Sequence, residues 1–101
     1  MQNMVLTLKD GTQFDAVELL YSQFYEDPEP YYLIRIACVN ASNIQQLYYD
    51  VEKAFTKENV AEVTLAVKDG SREANVFNFT EVCSIAIGIS DIVTVLEVVL
   101  K

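Results

Sequence analysis

Residues 43–56 read NIQQLYYDVEKAFT, and the fold turns on how that stretch is read. Ile44, Leu47, Tyr48, Val51 and Phe55 recur at i, i+3, i+4, i+7 and i+11, with Gln46, Asp50, Glu52 and Lys53 between them. That spacing lays the apolar side chains along one stripe of an α-helix and the polar ones along the opposite stripe. Ser42 followed by Gln45 matches a capping box, in which a hydroxyl and an amide satisfy the free backbone donors of a helix start. The spacing predicts a helix over about 43–56. Burying each of its large side chains contributes roughly 1.5–3 kcal/mol before entropy is subtracted, so the helix is expected to lie on a sheet rather than stand free.

On both sides of this helix the apolar period falls to two, the period of a strand with one buried face. Met4, Leu6 and Leu8 alternate with Val5, Thr7 and Lys9. Asp10-Gly11 then marks a hairpin, because both central positions of such a turn accept positive φ. The same KDG recurs: LTLKDGT at 6–12 and LAVKDGS at 65–71. We read it as one turn used twice, with no site attached. The flanks diverge, TQFDAVELL against SREANVFNF, so the expectation is two similar β halves bridged by the helix. FDAVELLYSQFY at 14–25 fits both periods; the turn before it and its aromatic content favour a long strand, bulged near 16–18. EDPEP at 26–30 is a loop, since Pro28 and Pro30 lack donors. The strand at 31–39 puts Ile34, Ile36 and Cys38 on one face and Tyr31, Leu33, Arg35 and Ala37 on the other.

Beyond KEN at 57–59, Val63, Leu65 and Val67 alternate up to the second KDG. A strand over about 72–80 follows, with Phe77 and Phe79 on one face. CSIAIGIS extends strand character to residue 90: Cys83, Ile85, Ile87 and Ile89 on one side, Val82, Ser84, Ala86 and Gly88 on the other. After a turn at Ser90-Asp91, residues 91–101 are apolar on both faces, as in an inner strand or one covered by a partner. The expected fold is α+β, a single domain over 1–101: mainly antiparallel β of about six to seven strands, sandwich or barrel-like, with one amphipathic helix packed on the sheet.

The chain has 101 residues, 51% of them apolar, and a net charge of −8 from 15 acidic and 7 basic residues. A chain of this size buries about 60–70% of its unfolded surface, so its core needs no disulfide or metal. The scattered basic residues argue against direct nucleic-acid binding, which needs clustered Lys and Arg, and against an anionic membrane. No apolar stretch reaches the roughly 18–20 residues of a membrane span, and the start, MQNMVLTLKDG, carries no signal-peptide pattern. Cys38 and Cys83 lie in apolar runs and are read as reduced, buried, small hydrophobes.

The sequence contains no histidine, the commonest general base and metal ligand at neutral pH. None of its three glycines belongs to a phosphate-cradling motif. Glu26, Asp27 and Glu29 read as a solvated acidic turn, and Asp10 and Asp69 as turn residues. No catalytic residue, metal ligand or cofactor is expected.

The aromatic distribution says more. All six tyrosines fall between residues 21 and 49. Tyr21, Tyr25, Tyr31 and Tyr32, with Phe24, flank the EDPEP tip, while Tyr49 lies off the apolar stripe of the helix. Tyrosine suits interfaces because it joins a large apolar area to a polar tip. These six residues are the candidate partner contacts, although aromatic pairs also stabilise a hairpin from within.

The opening LKDGT, the helix exit FTKENVAEVTL and the apolar end DIVTVLEVVLK together resemble small proteins encoded in phage and prophage tail gene regions of Gram-positive bacteria. The resemblance spans most of the chain. It implies a structural or assembly role in a virion tail, with no catalytic residue to carry over. The expected function is therefore a non-enzymatic structural or assembly protein that oligomerises with itself or binds other assembly proteins. It would be cytoplasmic in the host or virion-associated. Two alternatives stay open: an acidic protein-binding inhibitor or DNA-mimic domain, and a small ligand-binding barrel.

Overall fold

The structure, a computed structural model, describes residues 4–22, 31–37, 43–67, 70, 73–90 and 93–101, with the backbone alone for 16–22, 89, 90 and 93. Among these residues the order is β1 (Met4–Thr7), β2 (Gln13–Ser22), β3 (Tyr31–Ala37), α1 (Ile44–Ala54), α2 (Lys57–Val60), β4 (Val63–Val67), β5 (Asn75–Phe77), β6 (Val82–Ser90) and β7 (Val93–Leu100). The strands form one antiparallel sheet in the order β5-β4-β1-β2-β3-β7-β6. The α+β class and the helix on the sheet are as the sequence predicts.

The connection between β5 and β6 shapes this sheet. These strands are its two outermost members, yet only residues 78–81 join them. Phe77 and Val82 are five Cα steps apart, at most about 18 Å when fully extended. In a flat seven-stranded sheet the outermost strands would lie about 29 Å apart, at about 4.8 Å per step. The sheet must therefore curl. The ring of Tyr32 on β3 lies 5.6 Å from Phe77 on β5, though three strands separate them in the sheet. Tyr32 also meets Phe79 edge-on at 5.4 Å, and Phe77 stacks on Phe79 at 5.8 Å and 7°. Backbone bonds hold the joining segment on both sides: Phe79 N–H donates to Val60 O (3.0 Å), Thr80 N–H to Lys101 O (2.7 Å) and Lys101 N–H to Glu81 O (3.0 Å).

The core fills the inside of the curl. Leu6, Ile34, Ile36, Val63, Leu65, Leu96, Val98 and Leu100 come from the sheet, Val51 and Phe55 from α1 and its C-cap, and Val60 from α2. Ile44, Leu47 and Tyr48 pack against them half-buried, so the helical stripe faces where its spacing predicts. Phe55 meets Phe14 at 5.7 Å. β7 lies between β3 and β6, with Leu96, Val98 and Leu100 in the core. Val95, on the side away from α1, is 4% exposed.

Several local expectations are corrected. α1 starts at Ile44 with Asn43 at its cap, and the Asn43 side chain makes no capping bond; Ser42 of the expected Ser42–Gln45 box lies outside the described residues. KEN is no simple break. It forms the single turn α2, capped by Thr56, whose hydroxyl accepts the Asn59 N–H at 3.3 Å. Two strands carry an extra residue. On β2, Leu6 pairs Phe14 but Met4 pairs Val17, so the bulge falls at residues 15–16. It brings Phe14 and Val17, three apart, into register with one face, which is why 14–25 also reads as a helix. On β6 the register shifts between Val82 and Ser84. Val82 therefore joins Ile85 against the core, and Cys83 is exposed rather than buried. Cys38 lies outside the described residues.

The two KDG turns do not head separate halves. β1 and β4 are direct neighbours, with Leu6 paired to Leu65. These leucines hold the same place in the two LxxKDG copies (LTLKDGT and LAVKDGS share the alignment Leu6 on Leu65), so a local two-fold axis passes between them. The turn is also one residue longer than an Asp-Gly pair alone. Gly11 N–H donates to Leu8 O (2.9 Å) and Gly70 N–H to Val67 O (3.0 Å), which puts each glycine at the fourth position. Their φ values are +93° and +72°. In the first copy the Asp10 carboxylate accepts the Thr12 N–H at 2.9 Å. This is a three-residue loop in which only glycine must take the left-handed conformation.

Two measurements check this account. A Cβ at Gly11 meets no atom within 4 Å, so Gly11→Ala costs only the backbone penalty, about 1–2 kcal/mol in denaturant unfolding. Val51→Ala, at 0% exposure, is expected to cost about 2–4 kcal/mol, whereas Tyr49→Ala on the same helix changes stability by under about 0.5 kcal/mol.

Candidate functional site

No three His, Cys, Asp or Glu side chains converge into a metal-binding group among the described residues. Their chemistry is that of a surface. The largest exposed apolar side chains there are Tyr49 at 59%, Val76 at 57% and Ile87 at 55%. Each is exposed for a different reason. Tyr49 falls between the stripe residues Tyr48 and Val51, so the helix turns it outward while Tyr48 reaches the Ile85 carbonyl at 3.5 Å. Val76 sits on β5, one edge of the sheet. Ile87 sits on β6, the other edge, two residues past the point where Tyr48 touches the strand.

The predicted contact residues divide. Phe24 and Tyr25 lie outside the described residues, and Tyr21 is placed by its backbone alone, in register with Tyr32. Tyr32 is half-buried in the aromatic cluster with Phe77 and Phe79, where internal packing accounts for it. Tyr31 is half-buried, with the Lys101 ammonium 5.5 Å from its ring centroid. Tyr49 alone of the six is seen fully on the surface. Sequence reading missed Val76 and Ile87. Alternation placed Ile87 on one side of the strand with Ile85, which packs against the core, yet Ile87 is exposed.

Charge is arranged by register. Arg35 stands opposite Glu97 on β7 and opposite Glu18 on β2, a cation between two carboxylate-bearing positions on the outer face. Glu97 leans over Gly88, where a Cβ would overlap its carboxylate. An open cleft of about 500 Å³ lies between Phe55, Lys57, Thr80, Glu81 and Val82. The exposed carboxylates Asp10, Asp15, Asp50, Glu52, Glu58, Glu62, Glu73 and Glu81 are spread over turns, β2, both helices and the segments before β5 and β6.

Asp10 has the most defined setting. Besides Thr12, its carboxylate accepts the Asn59 side-chain amide at 3.1 Å; that amide also donates to Ala54 O at 2.8 Å, and Lys9 N–H donates to Asn59 O. The first KDG turn is thereby tied to α2. The Thr12 backbone N–H, then the Thr12 hydroxyl and the Asn59 amide, hold the Asp10 carboxyl below its ordinary value. No family model, curated protein or solved structure matches this chain.

A depressed folded-state pKa means that the tether's contribution is complete above the ordinary carboxylate range and is lost as pH falls through the lowered value. In an NMR titration the Asp10 carboxyl is expected to protonate below an unperturbed aspartate. Asn59→Ala should move its midpoint upward; an unchanged midpoint would show that the amide has no part in it.

Proposed function

We propose that this chain is a non-catalytic structural protein that assembles with copies of itself. One observation carries the reading: both edge strands of the sheet end in uncharged sequence with a large β-branched residue in water. β5 reads NVF and exposes Val76; β6 reads VCSIAIGIS and exposes Ile87. Soluble proteins commonly guard such edges with lysine, proline, bulges or a covering element, since open strands template further pairing. Here the long edge has a bulge at its start and no charge along its length.

The charge of −8 fits the same reading. It keeps separate copies apart in dilute, low-salt solution and lets short-range edge contacts prevail once it is screened. The resemblance to phage and prophage tail-region proteins supplies a setting, a virion part built from repeated copies of one chain, made in the host cytoplasm.

Sedimentation equilibrium across a salt series tests this. Between about 0.01 M and 1 M salt the Debye length shrinks from about 30 Å to about 3 Å, and the associated fraction at fixed protein concentration is expected to rise. A single-chain mass at every salt concentration would remove the assembly reading and favour an acidic binder that acts as a monomer.

A further inference from the structure

Residues 84–90 read S-I-A-I-G-I-S, almost the same in both directions. Only Ala86 and Gly88 break the mirror, and both are small. This stretch lies on the open edge of the sheet, where β7 is the one described neighbour of β6. The bulge falls before it, and from Ser84 to Ser90 the register against β7 is unbroken, Ser84 on Val99 through Ser90 on Val93. The free edge is therefore regular along the whole palindrome. Helix α1 reaches the strand at Ile85, through the long Tyr48 hydrogen bond, and two residues later Ile87 is 55% exposed.

We propose that the free edge of β6 pairs with the same edge of a second copy, antiparallel, about a two-fold axis at Ile87. The proposal rests on the self-assembly reading above and names its surface. About that axis Ile87 faces Ile87 of the second copy, Ile85 faces Ile89, Ala86 faces Gly88 and Ser84 faces Ser90. Opposed residues of antiparallel strands share a face. Ile85 and Ile87 thus lie on the helix side of the joint, and Ala86 and Gly88 on the outer side.

The mirror argues for a second copy rather than a foreign strand. A two-fold contact demands that one segment complement itself, whereas an unrelated peptide places no such condition on β6. Charge points the same way. Every copy carries −8, so contacts between acidic surfaces of two copies are repelled. Val82–Ser90 has none, and Glu97 stands one strand further in, over Gly88. Such a pairing continues the sheet across both subunits by backbone hydrogen bonds, as strand addition does.

The test compares Ile87→Lys with Val76→Lys, which make the same charge change on opposite edges. Both lower the net negative charge, so any general loss of repulsion would strengthen association in both. At high salt, Ile87→Lys is expected to weaken association roughly tenfold or more, because two like charges meet at the axis. Val76→Lys should not weaken it. Circular dichroism checks that each variant is folded, and Ile87→Thr, uncharged and β-branched, should retain association. A second measurement is independent of stability. In a Cys38→Ser/Cys83→Ser background, Ile87→Cys should form an intermolecular disulfide on mild oxidation, since opposed Cα atoms lie about 4.5–5.5 Å apart. Tyr49→Cys should not. If the native chain associates but Ile87→Lys does so equally and Ile87→Cys fails to cross-link, the β6 contact is overturned while self-assembly stands. If the native chain never associates, both fall.

Discussion

Residues 78–81 are too short to reach between the outermost strands of a flat sheet, and most of the architecture follows from that shortage. The sheet curls until β5 and β6 come within the span of four residues. Curling brings Tyr32 against Phe77 and Phe79 and wraps β1, β3, β4 and β7 around Val51, Phe55 and Val60. The joining segment is fastened to α2 by Phe79 and to the end of β7 by Thr80 and Glu81. Its own backbone groups thus find partners where a loose loop would leave them to water. A small domain gains from this arrangement because a single helix can close the interior of a curled sheet, where a flat one would need a second layer.

The same geometry leaves an opening. β5 is three residues long and cannot run beside β6 along its nine. α1 touches β6 at Ile85 through Tyr48, and Ile87 two residues on is exposed. The remainder of β6 is an edge strand without charge in a chain that is acidic almost everywhere else. The proposed pairing of two copies there would complete the hydrogen bonding that the curl leaves unfinished.

Much of the fold was legible in the sequence because its signals are local. The helical stripe from Ile44 to Phe55, the alternation of β1, β3 and β4, and the doubly apolar β7 each follow from a period within one element. The bulges were harder. Each adds one residue, so Phe14 with Val17, and Val82 with Ile85, take a spacing of three inside a strand, and alternation misassigns what precedes them. Cys83, read as buried from its apolar run, is the extra residue of the β6 bulge and is exposed. The candidate surface was legible in part. Tyr49 falls off the helical stripe and could be placed outward from spacing alone. Tyr32 could not be told from Tyr31, because the rings that hold it come from β5 and the segment after it. Ile87 shares its alternation with Ile85, yet one is half-buried against the core and the other exposed, a difference that periodicity does not carry.

The sequence by itself determined α1, the alternating faces of β1, β3 and β4 and the two glycine turns, since periodicity and the positive φ of Gly11 and Gly70 depend on neighbouring residues alone. Only the tertiary structure decided that the KDG strands lie side by side with Leu6 on Leu65, that the sheet curls, and that β6 is left at an edge. Those outcomes depend on which distant strands can be joined by the chain available. The palindrome at Ser84–Ser90 was in the sequence from the start, but it became a contact surface only when the fold placed it on an open edge.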